Sequence, residues 1–193
     1  YKLVSQRVKR NGISGTKISI VIDRSLKLKH KHSRSFNDIR DLIKKSQLTE
    51  KVKFDSIEIF HRIGKVEAKI HGTTLNKIHF HEVGGIDSIV DIVGGSIGMR
   101  LLNADIVYSS PLNTGEGIIK CEHGILPIPT PATMKLLEGI SCYSNGIKKE
   151  LTTPTGAAFM GYFVEKFRSM PNMFILGSGY GAGDNEFKEI PNL

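Results

Sequence analysis

A chain of 193 residues with 39% hydrophobic and 24% charged content is long enough for one good core or two small ones and ordinary in composition for a globular protein. Two cysteines, Cys121 and Cys142, exclude a disulfide scaffold and make a reducing cytoplasm the expected setting; no apolar run approaches the ~20 residues that span a bilayer. The net charge of +8 is unevenly placed: residues 1–34 hold ten Lys/Arg against Asp23, a net +9, and residues 35–193 hold seventeen against eighteen Asp/Glu, a net −1. The basic excess therefore belongs to one N-terminal segment, read as a solvated strand edge and loop. Nucleic acid is not the expected partner, because no aromatic residue between Lys2 and Arg34 offers a stacking platform.

In chain order, Thr16 to Ile22 alternates and is β-branched, which predicts a strand. Residues 24–34, with His30 and His32, are charged and aperiodic and predict a loop. Ser35 is placed to cap a helix with apolar positions Phe36, Ile39, Leu42 and Ile43. Thr49 opens a second helix, with Val52, Ile59, Ile63 and Val66 near one face, running to about His71-Gly72. Lys77 to Val83 predicts a short strand or extended loop. Ser88 to Leu102 predicts an apolar helix whose Gly94, Gly95 and Gly98 permit close packing. Short strands are expected over Asp105–Ser109 and within Gly115–Leu126. Thr130-Pro131 and Thr153-Pro154 each pair an N-cap with proline at the first helical position, for helices to about Glu138 and Phe167. Phe174 to Tyr180 leads into an expected last strand. The fold class is α/β, with mixed helix-and-strand layers and a helical segment at about 35–72 that can stand as an appendage; α+β is the alternative.

Three groups could carry chemistry. His79 and His81 fall on one strand face, followed by Glu82, Asp87 and Asp91; imidazole with carboxylate suits a transition metal, and Asp87 and Asp91 share a helix face if the helix has begun by Asp87. The same stretch also reads as Ser88-x-x-Asp91, a helix capping box. Cys121 and His123 join a thiol to an imidazole on one strand face, which suits nickel, zinc or copper better than magnesium; a buried, inert cysteine beside a surface histidine explains them equally. Thr153, Thr155 and Gly156 open a helix whose free N–H groups suit a phosphate, or are ordinary caps. Gly177 to Gly183 is Gly-rich but lacks the strand, helix and acidic partner of a dinucleotide site.

The stretches Phe36-Asn-Asp-Ile-Arg40-Asp-Leu-Ile43, Glu67 to Gly72, His79-Phe-His-Glu-Val-Gly-Gly-Ile-Asp-Ser-Ile-Val-Asp91 to Gly94, Tyr108 to Leu112, Cys121-Glu-His-Gly-Ile-Leu-Pro-Ile-Pro-Thr-Pro-Ala-Thr133, Leu151 to Ala158 and Gly179 to Gly183 stand in the order found in LarC-type nickel insertion proteins. The chain resembles that family over nearly its whole length. The resemblance implies nickel insertion into a pyridinium-3,5-bisthiocarboxylic acid mononucleotide, giving the nickel-pincer cofactor of lactate racemase and related enzymes. It implies a nickel chelatase or cyclometallase of the lyase class, using CTP with Mg or Mn in the full-length protein. It further implies a cytoplasmic homo-oligomer that meets a sulfur-inserted precursor donor protein or an apo-enzyme recipient.

Full-length members are about twice as long. The chain is therefore expected to be a single central domain, 1–193, without the family's N-terminal segment and C-terminal nucleotide-binding domain, and inactive alone. Carried onto this sequence, Glu82, Asp87 and Asp91 become catalytic carboxylates. His79, His81, Asp87, Cys121 and His123 become metal groups, and Thr153, Thr155 and Gly156 become cofactor contacts. On the residues alone, a Mg- or Mn-dependent phosphohydrolase or nucleotidyl enzyme, and a non-enzymatic nucleic-acid binder using residues 1–34, remain the alternatives.

Overall fold

A computed structural model describes residues 2–21, 34–80, 85–121, 123–185, 187 and 190–193. The chain falls into two compact units, one from residues 1–30 and 172–193 and one from residues 31–171. No helix among the described residues is long and apolar enough to cross a membrane.

The first unit is built on an antiparallel hairpin of β1 (Lys2–Arg10) and β2 (Ile13–Val21), paired from Lys2↔Val21 to Arg10↔Ile13. Asn11 and Gly12 both sit at positive φ, 46° and 84°, the requirement of a two-residue turn whose twist matches the strands. The C-terminal residues lie along it. Thr16 N–H donates to Tyr180 O at 2.9 Å, Ala182 N–H to Thr16 O at 2.9 Å, and the Arg10 guanidinium to Gly183 O at 2.8 Å. The strand expected after Phe174 is absent: only an isolated bridge joins Thr16 and Gly181. Phe174 and Leu176 are 95% and 98% exposed, so nothing packs that segment into a sheet.

The second unit has a helical core. β3 (Arg34–Ser35) leads into α1 (Phe36–Lys45), where Ser35 and Asp38 form a reciprocal capping box. α2 (Glu50–Ile70) starts from Thr49, whose hydroxyl accepts from Val52 N–H, and ends at His71, with Gly72 at φ 60°. β4 (His79–Phe80) pairs with β3. α3 (Ile86–Leu102) is capped by Gly85, one turn earlier than expected, with no side-chain cap bond; the Ser88–Asp91 capping box does not form. β5 (Tyr108–Ser109) and β6 (Leu112–Asn113) are two-residue strands, β7 (Gly117–Cys121) and β8 (Gly124–Ile128) form a hairpin, and α4 (Pro131–Leu136) follows. β9 (Cys142–Tyr143) runs parallel to β6, α5 (Pro154–Phe163) follows, and β10 (Lys166–Phe167) runs parallel to β5. α5 stops four residues short of the expected end because Val164 turns extended.

The architecture is mixed α/β without a barrel, and among the described residues no sheet is wider than two strands. Phe36, Ile39 and Ile43 of α1, Ile59, Phe60 and Ile63 of α2, Phe80, Ile89 and Ile92 of β4 and α3, and Ala158 of α5 form one buried cluster. Residues 35–72 thus supply the centre of this unit's core and are not an appendage. Leu42, expected on the apolar face, is exposed. Of the three glycines of α3, only Gly95 meets a neighbour: a Cβ there would stand 2.6 Å from the Phe159 ring.

A polar clamp crosses the same helices. Asp55 of α2 is fully buried and accepts two hydrogen bonds from the Arg100 guanidinium of α3, both at 2.6 Å. Tyr162 of α5 donates to Asp55 Oδ1 at 2.8 Å. Burial, and then that bond to Asp55, push the Tyr162 hydroxyl up to about 12. Three helices are thereby fixed at one buried carboxylate, which lost hydration and must be bonded to offset that cost.

Candidate functional site

The second unit carries two adjoining depressions. The first, of about 300 Å³, is lined by Glu67, Ile70 and His71 from the end of α2, Phe80, Ile119, Cys121, His123 and Leu126 from the β7–β8 hairpin, and Thr130 to Ala132. The second, of about 560 Å³ and more open, lies over Ser88, Asp91, Ile92 and Gly95 of α3 and Thr153 to Gly156, Phe159 and Met160 of α5. Glu150 and Pro154 line both.

The hairpin positions the first wall. Cys121 ends β7 opposite Gly124, so Cys121 and His123 reach one cavity through the tight connection and not by alternation along one strand. His71 is the C-cap of α2; its backbone N–H donates to Glu67 O at 2.9 Å, and its Nε2 lies 3.5 Å from Glu67 Oε2. The His71 and His123 rings are 5.0 Å apart, centre to centre, with a 42° tilt.

The segment reaching Glu150 is fixed by backbone bonds. Glu116 N–H donates to Ile147 O at 2.9 Å, Leu151 N–H to Thr114 O at 3.2 Å and the Thr152 hydroxyl to Asn113 O at 2.7 Å. Gly115 makes this possible: at φ 70°, a Cβ there would overlap Lys149 O. The second wall then begins at Thr153, whose hydroxyl accepts from Gly156 N–H at 3.1 Å, followed by proline at the first helical position.

Of the expected site residues, Cys121 and His123 come together in the first depression, and Asp91, Thr153, Thr155 and Gly156 in the second. His79 and Asp87 are exposed and line neither. His81 and Glu82 lie outside the described residues, as do His30 and His32. Among the described residues no three His, Cys, Asp or Glu side chains stand close enough to hold a metal ion as they lie. Glu67, His71 and Glu150 were not singled out from the sequence as site residues. Glu67 and His71 carry a local signal, an acid and an imidazole four apart on one helix face. Glu150 carries none.

The family is decided by comparison with known proteins. All of residues 1–193 match the family model described as nickel insertion protein. The chain belongs to the nickel insertion protein family. It is 43% identical over 198 residues to a pyridinium-3,5-bisthiocarboxylic acid mononucleotide nickel insertion protein of Geobacillus kaustophilus, covering 100% of this chain and 48% of that protein. Proteins of the same name from Desulfitobacterium hafniense and Staphylococcus epidermidis are 46% and 44% identical over 193 residues, again 100% of this chain and 46% and 47% of theirs. The chain spans about half the length of the curated relatives it matches. No solved structure matches it.

Proposed function

We propose that the 31–171 unit is where this nickel insertion family member brings Ni²⁺ together with a pyridinium bisthiocarboxylate mononucleotide, the substrate printed in its relatives' names. One observation carries the reading. A wall bearing sulfur and imidazole donors and a wall bearing the Thr-Pro-Thr start of α5 adjoin at Glu150 and Pro154. Nickel is substrate here, and thiolate and imidazole donors suit it. Cys121 and His123 receive it. The phosphate of the mononucleotide lies against Thr153, Thr155 and Gly156, where the two hydroxyls, the Thr155 N–H and the macrodipole favour an anion.

The pyridinium ring then lies near the junction. When metal replaces hydrogen on a ring carbon, the C–H bond breaks, a carbon–nickel bond forms and the proton leaves; Glu150 is the carboxylate beside that position and takes it up. Asp91, on the phosphate side, accepts from a ribose hydroxyl. His79 and Asp87, exposed outside both depressions, are left out of this assignment. The enzyme class is a nickel chelatase acting as a lyase in a cytoplasmic setting. CTP with Mg or Mn enters in the full-length protein.

Calorimetry with Ni²⁺ on the 193-residue chain tests the metal end. Cys121→Ser with His123→Ala is expected to weaken binding at least about tenfold; unchanged binding contradicts the assignment. At the other end, Thr155→Glu should abolish binding of a pyridinium mononucleotide while leaving Ni²⁺ affinity intact.

A further inference from the structure

We propose, resting on the reading above, that His71 is a second imidazole donor to nickel, facing His123 and oriented by Glu67. After the substrate's sulfurs displace Cys121, this pair is the protein's share of the coordination sphere.

The geometry carries the argument. A metal about 2.1 Å from an imidazole nitrogen lies about 3.2 Å from the ring centre. Two imidazoles at right angles on one metal then have centres about 4.5 Å apart, and at a tetrahedral angle about 5.2 Å. The His71 and His123 centres are 5.0 Å apart, and their 42° tilt is not that of a stacked pair. Both line the same cavity. Glu67, one helical turn before His71, sits 3.5 Å from its Nε2. A carboxylate beside one imidazole nitrogen leaves the other, Nδ1, as the metal-side donor.

The number of donors also fits. Among the described residues no third ligand stands with a pair to close a site. Ni(II) is commonly bound by four donors in a plane. The bisthiocarboxylate in the relatives' names offers two sulfurs. Once these sulfurs displace the Cys121 thiolate, and before the carbon–nickel bond forms, two imidazoles and two sulfurs make four, and a site left with two protein ligands lets the metal leave with its carrier. Four protein ligands would retain it.

The test is Ni²⁺ affinity of the 193-residue chain, measured by competition with a chelator, together with X-ray absorption of the bound nickel to count imidazoles. His71→Ala is expected to weaken binding at least about tenfold and to lower the count from two to one; Glu67→Gln is expected to weaken it about tenfold with two imidazoles retained. The His71 side chain is 29% exposed at a helix cap, so an unchanged far-UV spectrum and melting temperature should accompany the loss. Should folded His71→Ala bind nickel as tightly as wild type with two imidazoles while His123→Ala weakens binding, the inference is overturned and the functional reading stands. Should Cys121→Ser and His123→Ala also leave binding unchanged, the functional reading falls with it.

Discussion

The two units of this chain differ in charge density and in how much they bury. The hairpin unit takes in the most basic stretch of the sequence, yet its described residues bury little: Leu3, Ile18 and Val21 are all more than half exposed, and Phe187 is its one buried large side chain. The 31–171 unit carries a net +3 over many more residues and holds the shared core, the Asp55 clamp and both depressions. The net charge of +8 is therefore spread unevenly for size, with +5 on the smaller hairpin unit and +3 on the larger unit that holds the candidate site. Where a charge sits decides whether it bears on function.

The comparison is sharpened most by cutting the clamp. Asp55→Ala strips Arg100 and Tyr162 of their common partner, and a loss of about 3 kcal/mol is expected in denaturant unfolding, toward the low end for a buried pair because Arg100 is 46% exposed and rehydrates. In the hairpin unit, Lys17 pairs with Asp184, whose side chain is 84% exposed; removing that pair with Asp184→Ala should cost less than about 0.5 kcal/mol. If the two costs proved equal, the contrast between the units would be lost.

Gly115→Ala comes next, at about 2 kcal/mol, because it combines a positive-φ backbone with a clash against Lys149 O. Since that contact seats the segment leading to Glu150, mononucleotide affinity should fall with stability. Tyr162→Phe should cost about 1 kcal/mol at neutral pH. It also has a pH signature. The folded-state value of Tyr162 lies above its ordinary 10.0, so its contribution is complete below pH 10 and is lost as pH rises toward about 12. The stability difference between wild type and Tyr162→Phe should shrink across that window. An effect of opposite sign is expected at Ser56, buried with no hydrogen-bond partner among the described residues for its hydroxyl; Ser56→Ala should be neutral or stabilising by up to about 1 kcal/mol.

Local signals in the sequence carried well over short distances. Ser35, Thr49, Thr130 and Thr153 all cap helices, because a hydroxyl and an N–H three residues on need no distant partner. Pro131 and Pro154 stand at helix starts for the same reason. Ser88 failed because Gly85 adopts the cap conformation first and starts α3 a turn earlier. β1 carries only the Asn11-Gly12 hairpin signal, because its lysines and arginines interrupt the apolar alternation that marks β2. A short strand such as β6 exists only through its partner at β9, which no local pattern announces. The site divides likewise. Cys121 and His123 were visible as a spacing, whereas His71 becomes meaningful only when α2 ends against a hairpin some fifty residues later. Glu150 depends wholly on that tertiary placement.

The central claim is that nickel meets the protein between the end of α2 and the β7–β8 hairpin. Anomalous scattering at the nickel edge from a nickel-soaked crystal locates it directly. The account expects one dominant peak within coordination distance of His71 and His123, beside Cys121. A dominant peak at His79 and Asp87, or on the hairpin of residues 2–21, with none in that cavity, would contradict it.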